Sequence, residues 1–120
     1  QLTTPDNLIV TSPFFFDENN ETLSKWSSTF EEKSGFKPTI HPACAYDCVY
    51  LIKNAIEKIG DGEITREAIQ EALANSQNEG ITGALNFMED GDIQRQYMIC
   101  GVKDAKWVVL EGFDYGAEGL

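Results

Sequence analysis

The sequence predicts an α/β or α+β chain in which one strand is followed by three helices and then by a three-strand meander. Two observations about hydrophobic period predict it. Between Asn20 and Asn75 apolar residues recur at spacings of three and four, as on helices with one buried face. From Ile81 onward the period shortens towards two, and turn formers such as Asp90-Gly91 interrupt it. The third observation is punctuation: Asn20 and Thr65 stand where N-caps are wanted, and Gly35 and Gly60 stand where helices stop.

Residues 8–10, preceded by Pro5-Asp6-Asn7, form a short branched apolar run that reads as a buried strand ended by Ser12-Pro13. Phe14, Phe15 and Phe16 follow in extended chain. Three consecutive aromatics cannot all face one core, so at least one is expected to meet a second lobe, a ligand or a partner chain. Residues 20–34 predict a helix capped by Asn20, with Glu21 at the positive end of its dipole and Leu23, Trp26 and Phe30 on its buried stripe.

The organising stretch is residues 41–60, HPACAYDCVYLIKNAIEKIG. Pro42 suits a first helical turn, so the helix is expected to begin there, with Thr39, Ile40 and His41 as a loop before it. Ala45, Val49, Ile52, Ile56 and Ile59 share one face, which is expected to be the buried one, with Lys53, Glu57 and Lys58 opposite. A third helix, residues 66–75, starts at Thr65, with Ile64 and Ile69 as a hydrophobic staple and Ala68, Ile69, Ala72 and Leu73 buried. A strand through Leu85 and Phe87, a hairpin at Asp90-Gly91, a return strand over residues 94–102 and a last strand over 107–110 complete the order. Residues 113–120, rich in Gly and acidic groups, read as a flexible tail.

With Lys+Arg 9 against Asp+Glu 20 and a formal charge of -11, the chain is a poor partner for nucleic acid or anionic lipid. A hydrophobic share of 42% argues against wholesale disorder, and 120 residues suit a single domain or a piece of a larger one. No apolar run approaches the ~18 residues that span a bilayer, and no charged n-region precedes an apolar h-region. The first residue is Gln, as expected of a processed product or a part of a longer chain, so the missing signal decides nothing about compartment.

Chemistry-bearing residues are sparse. His41 with Cys44 or Cys48 is the one Cys/His pairing available, in the spacing H-x-x-C-x-x-x-C. It lacks a cysteine-hydrolase signature. Adding Cys100 supplies zinc-type ligands without paired knuckles, and three small buried or half-buried thiols are the plainer reading. Asp90 and Asp92 lack the ligand series of a calcium loop, and Gly80, Gly83 and Gly91 form no phosphate cradle. Neither metal nor cofactor is expected.

The runs A-Y-D-C-V-Y-L-I-K-N-A-I-E-K-I-G, I-T-R-E-A-I-Q-E-A-L, G-I-T-G-A-L-N-F-M-E-D-G-D and V-K-D-A-K-W-V come in a telling order. Together they resemble the C-terminal third of type 1 periplasmic (extracellular) substrate-binding proteins, nearest to the leucine/isoleucine/valine-binding branch of ABC importers. The resemblance implies a partial doubly wound sandwich: the strand, three helices and meander of a protein whose two lobes clamp a ligand by hinge closure. It implies hinge crossings near Ser12-Pro13 and at residues 96–98, so that residues 1–112 hold parts of both lobes and no complete one.

By the same resemblance the chain is no enzyme. It is a solute receptor for amino acids or similar small polar molecules, partnered by an ABC permease and placed in the periplasm or on the cell exterior, lipid-anchored or free. The position five residues before the helix Tyr contacts ligand in the leucine-type proteins, where it is aromatic; here it is His41. That change points away from a branched-chain side chain and towards an anionic or hydrogen-bonding ligand group. Phe14 and Tyr46 are further cleft candidates. The same fold as the sensor of a signalling receptor is the second reading, and a metal or redox module on His41, Cys44, Cys48 and Cys100 the third. Helix faces shaped for an absent sheet lead us to expect self-association of the isolated chain.

Overall fold

The computed structural model describes residues 8–17, 19–95, 97–104 and 106–113. The chain divides into two compact units, one formed by residues 1–15 and 95–120 and the other by residues 16–94. Polypeptide thus leaves the first unit after Phe15 and returns to it at Arg95, within a few residues of the expected crossings. Among the described residues no helix is long and apolar enough to cross a membrane.

The first unit is an antiparallel sheet of β1 (Ile9–Ser12), β4 (Tyr97–Lys103) and β5 (Lys106–Phe113), ordered β1-β4-β5. Val10 sits opposite Cys100, which sits opposite Val109, and a bulge at Ile99/Cys100 shifts the β4–β5 register. Asp104 takes a φ of 52° in the turn between β4 and β5, a left-handed conformation that Asp tolerates. Cys100 and Val102 are buried, whereas Ile9 is 65% exposed, and Trp107, Val109 and Leu110 are exposed too. The strand expected to be buried at residues 8–10 is therefore largely open, because the three-strand sheet has too little apolar cover to close over it. Residues 114–120 of the expected tail lie outside the described residues, while Phe113 ends β5.

The second unit carries α1 (Glu21–Ser34), α2 (Ile40–Ile59), α3 (Arg66–Ala74) and a small hairpin of β2 (Glu79–Gly80) and β3 (Gly83–Ala84). Asn20 caps α1 by accepting from the Leu23 N–H at 3.0 Å, and Gly35 ends it at a φ of 79°. Thr65 caps α3 by accepting from the Ala68 N–H at 3.1 Å. Lys58 reaches from α2 to the far end of α3, donating to the Asn75 carbonyl at 2.6 Å and the Ser76 hydroxyl at 3.0 Å. That places an ammonium where the α3 dipole is negative.

Two expectations about α2 are corrected. It begins at Ile40, so His41 lies within its first turn and not in a preceding loop. Its buried face is Ala43, Asp47, Leu51 and Ala55. The stripe expected to be buried is open: Val49 is 66% and Ile52 49% exposed, and Ala45 and Ile56 are also exposed. Both faces are apolar enough to bury, and spacing alone favoured the one without a carboxylate. The staple at α3 is likewise loose, with Ile64 exposed.

The meander is corrected as well. Phe87 pairs with Ile93 only as an isolated bridge around Asp90-Gly91, where Gly91 has a φ of 89°, and β1 supplies the third strand of the sheet. Short-range alternation through Leu85 and Phe87 cannot tell a strand from an extended loop.

Candidate functional site

Asp47 is the centre of the second unit. It stands on the inner face of α2, 2% exposed, between Ala43 and Leu51 one turn to either side. Its carboxylate accepts three hydrogen bonds from the loop joining β2 to β3: from the Ile81 N–H at 2.8 Å, the Thr82 N–H at 3.0 Å and the Thr82 hydroxyl at 2.6 Å. A buried carboxylate is tolerated only when so engaged. A β-carbon added at Gly80 would run into that carboxylate, so only Gly lets the hairpin approach α2 this closely. The hairpin is held from its other side by Asn78, whose N–H donates to the Asn86 side chain at 3.0 Å and whose carbonyl accepts from the Leu85 N–H at 2.9 Å.

Beside this clamp opens a hollow of about 460 Å³. The cap and first turn of α1 (Asn20, Leu23), Tyr46, Tyr50 and Asn54 on α2, and Glu79, Gly80, Ile81 and Gly83 of the hairpin line it. The Tyr46 and Tyr50 rings lie 4.6 Å apart at 34°, and Trp26 meets Tyr46 edge-on, 5.7 Å away at 64°. Trp26 continues to Phe30 at 5.5 Å, and Phe30 to Phe36 at 5.5 Å, so five rings run in sequence from α2 across α1. A side-chain hydrogen bond with Tyr50, then partial burial, then the nearby charges raise the Tyr46 phenol above its ordinary pKa.

Of the three residues singled out from the sequence, two lie on α2 and one in the strand unit. His41 and Tyr46 share α2, yet five residues turn about 140° on a helix, so they point to different sides. His41 is exposed in the first turn of α2, Tyr46 lines the hollow, and Phe14 belongs to the other unit, where the Ser12 hydroxyl donates to its carbonyl at 2.6 Å. Asp47 was missed in sequence. Its signal was a lone acid among Ala43, Leu51 and Ala55, in register with the most buried positions of the helix. Among the described residues no group of three or more His, Cys, Asp or Glu side chains is placed to hold a metal ion.

The strand unit is discontinuous in sequence, with the helical unit inserted between its two parts. The periplasmic binding protein family matches residues 2–106. The chain belongs to that family. Its fold is similar to that of the leucine-binding protein LivK from Thermotoga maritima (TM-score 0.71, 24% identity, 90% of this chain and 31% of that one). A solute-binding protein of an ABC transporter from R. palustris, solved with benzoate, has a TM-score of 0.75 at 16% identity over 89% of this chain and 30% of its own. LivJ from Streptococcus pneumoniae, a branched-chain amino acid transporter substrate-binding protein solved with isoleucine, gives 0.67 at 20% identity over 89% and 30%. No curated protein sequence matches the chain. The chain thus has the α/β fold of type 1 periplasmic binding proteins and spans about 30% of the length of these structures.

Proposed function

We propose that these residues form the C-terminal part of a solute receptor for an ABC importer, which closes two lobes on an amino acid or another small polar molecule without transforming it. The family match over residues 2–106 carries this reading. The excursion of residues 16–94 out of the strand unit and back supports it, since hinge closure needs a chain that passes between lobes. Leucine- and isoleucine-binding relatives favour amino acids, and a benzoate-binding one shares the fold. An anionic carboxylate is the group common to those cargoes, and His41 at an exposed helix start suits it.

In this reading the residues through Phe113, the end of β5, belong to the ligand-binding domain. In the same reading His41 contacts the ligand, with Phe14 and Tyr46 as the weaker candidates. The receptor is secreted by way of a cleaved signal, works in the periplasm or at the cell surface, and hands its cargo to a permease. The uncovered stripe of α2 is the surface on which the remainder of its lobe lies, so the 120-residue chain alone self-associates. Sensing in a signalling receptor is the alternative, and an output domain on the parent chain would favour it.

The test is calorimetry with a panel of amino acids and small carboxylates on the protein encoded by the whole reading frame. One member is expected to bind, and His41→Ala to weaken it by about tenfold, the loss of one hydrogen bond to a charged group. Binding of none of the panel overturns the function. Binding that His41→Ala leaves unchanged overturns the site.

A further inference from the structure

We propose that the hollow between α1, α2 and the β2–β3 hairpin binds a small organic cation, an alkylated ammonium group held by the Tyr46 and Tyr50 rings and the Glu79 carboxylate. Every residue lining it belongs to the helical unit.

The argument from charge comes first. Two carboxylates and no Lys, Arg or His line the hollow. Asp47 is saturated by its three donors from Ile81 and Thr82. Glu79 is exposed and, among the described residues, makes no ion pair or side-chain hydrogen bond. An anion or a zwitterion would meet repulsion with no cation to answer it, whereas a cation meets a free carboxylate in a chain of net charge -11.

Shape and chemistry of the walls narrow the class. Two phenols, Tyr46 and Tyr50, line the hollow, and the outer face of such a tilted pair can attract a cation. Trp26 packs edge-on against Tyr46, which fixes that ring before any ligand arrives. Aromatic walls favour a cation wrapped in methyl groups over a bare, strongly hydrated one. The volume of about 460 Å³ falls within the range of ~300–1,000 Å³ usual for small-molecule sites. The clamp of Asp47 on Ile81 and Thr82 fastens the hairpin that carries Glu79 to α2, which carries the two tyrosines.

The test compares choline with its uncharged isostere 3,3-dimethylbutan-1-ol by calorimetry and amide chemical shifts on the 120-residue chain. Choline is expected to bind saturably, and the isostere about tenfold more weakly, because shape is kept and only charge is lost. Glu79→Gln is expected to weaken choline about fivefold and Tyr50→Leu about tenfold, while Tyr50→Phe, which keeps the ring, stays within about twofold. Shifts should centre on Asn54 and Gly80. Should Tyr50→Leu fail to fold, the isostere comparison on the unaltered chain still decides. Equal binding of choline and isostere, no saturation with choline, or shifts confined to the strand unit would each overturn the proposal.

Discussion

Asp47 holds Thr82 through two of its three hydrogen bonds, one to the backbone N–H at 3.0 Å and one to the hydroxyl at 2.6 Å, across 35 residues of sequence. This clamp fastens the β2–β3 hairpin to α2. Removing the carboxylate leaves buried donors without acceptors, so Asp47→Ala is expected to lower the unfolding free energy by about 3 kcal/mol. Thr82→Val loses one bond and should cost about 1 kcal/mol. Gly80→Ala forces a methyl group into the carboxylate and should cost about 2 kcal/mol. Urea unfolding measures all three, and an Asp47→Ala loss no larger than that of Thr82→Val would contradict the clamp.

The three thiols are free and differ in setting: Cys48 is exposed, Cys44 half-buried, and Cys100 buried, with its thiol pKa raised by desolvation. Thiolate is the reactive form, so labelling with a disulfide reagent at mild alkaline pH should proceed in the order Cys48, Cys44, Cys100. Peptide mapping after timed quenching reads the order directly. Cys100 reacting as fast as Cys48 while the circular dichroism is unchanged would contradict its burial in the sheet.

Tyr46 gives a pH signature of its own. Its hydrogen bond with Tyr50 raises the phenol pKa above its ordinary value, so the folded state favours the protonated form. The stabilisation is therefore complete below pH ~10 and fades as pH rises through the raised folded-state value. Ultraviolet titration should show one tyrosine ionising later than the rest, and Tyr50→Phe should return it towards the others. A wild-type curve with no late tyrosine would count against the pairing.

Much of the helical unit was legible in the sequence because its signals are local. Asn20, Gly35, Gly60 and Thr65 act on backbone within a turn of themselves, and each stands where its residue type required. What escaped was decided by distant chain. Which apolar face of α2 is buried depends on the hairpin 35 residues away that Asp47 captures, and no periodicity encodes that partner. Likewise β1 pairs with β4, nearly ninety residues on, and the alternation near Leu85 gave no sign of it. The resemblance to substrate-binding proteins supplied the family, and the hollow at Tyr46 and Tyr50 emerged only once α1 and the hairpin were set around α2.

The exposed stripe Ala45, Val49, Ile52 and Ile56 is the surface from which self-association of this chain is proposed. An exposed apolar stripe on a twenty-residue helix leads us to expect an interface there. Light scattering on the 120-residue chain at micromolar concentration tests it most directly, beside the double variant Val49→Lys, Ile52→Glu. The unaltered chain is expected to run well above monomer mass and the variant at monomer mass with the same helicity. An unaltered chain that stays monomeric would contradict the account.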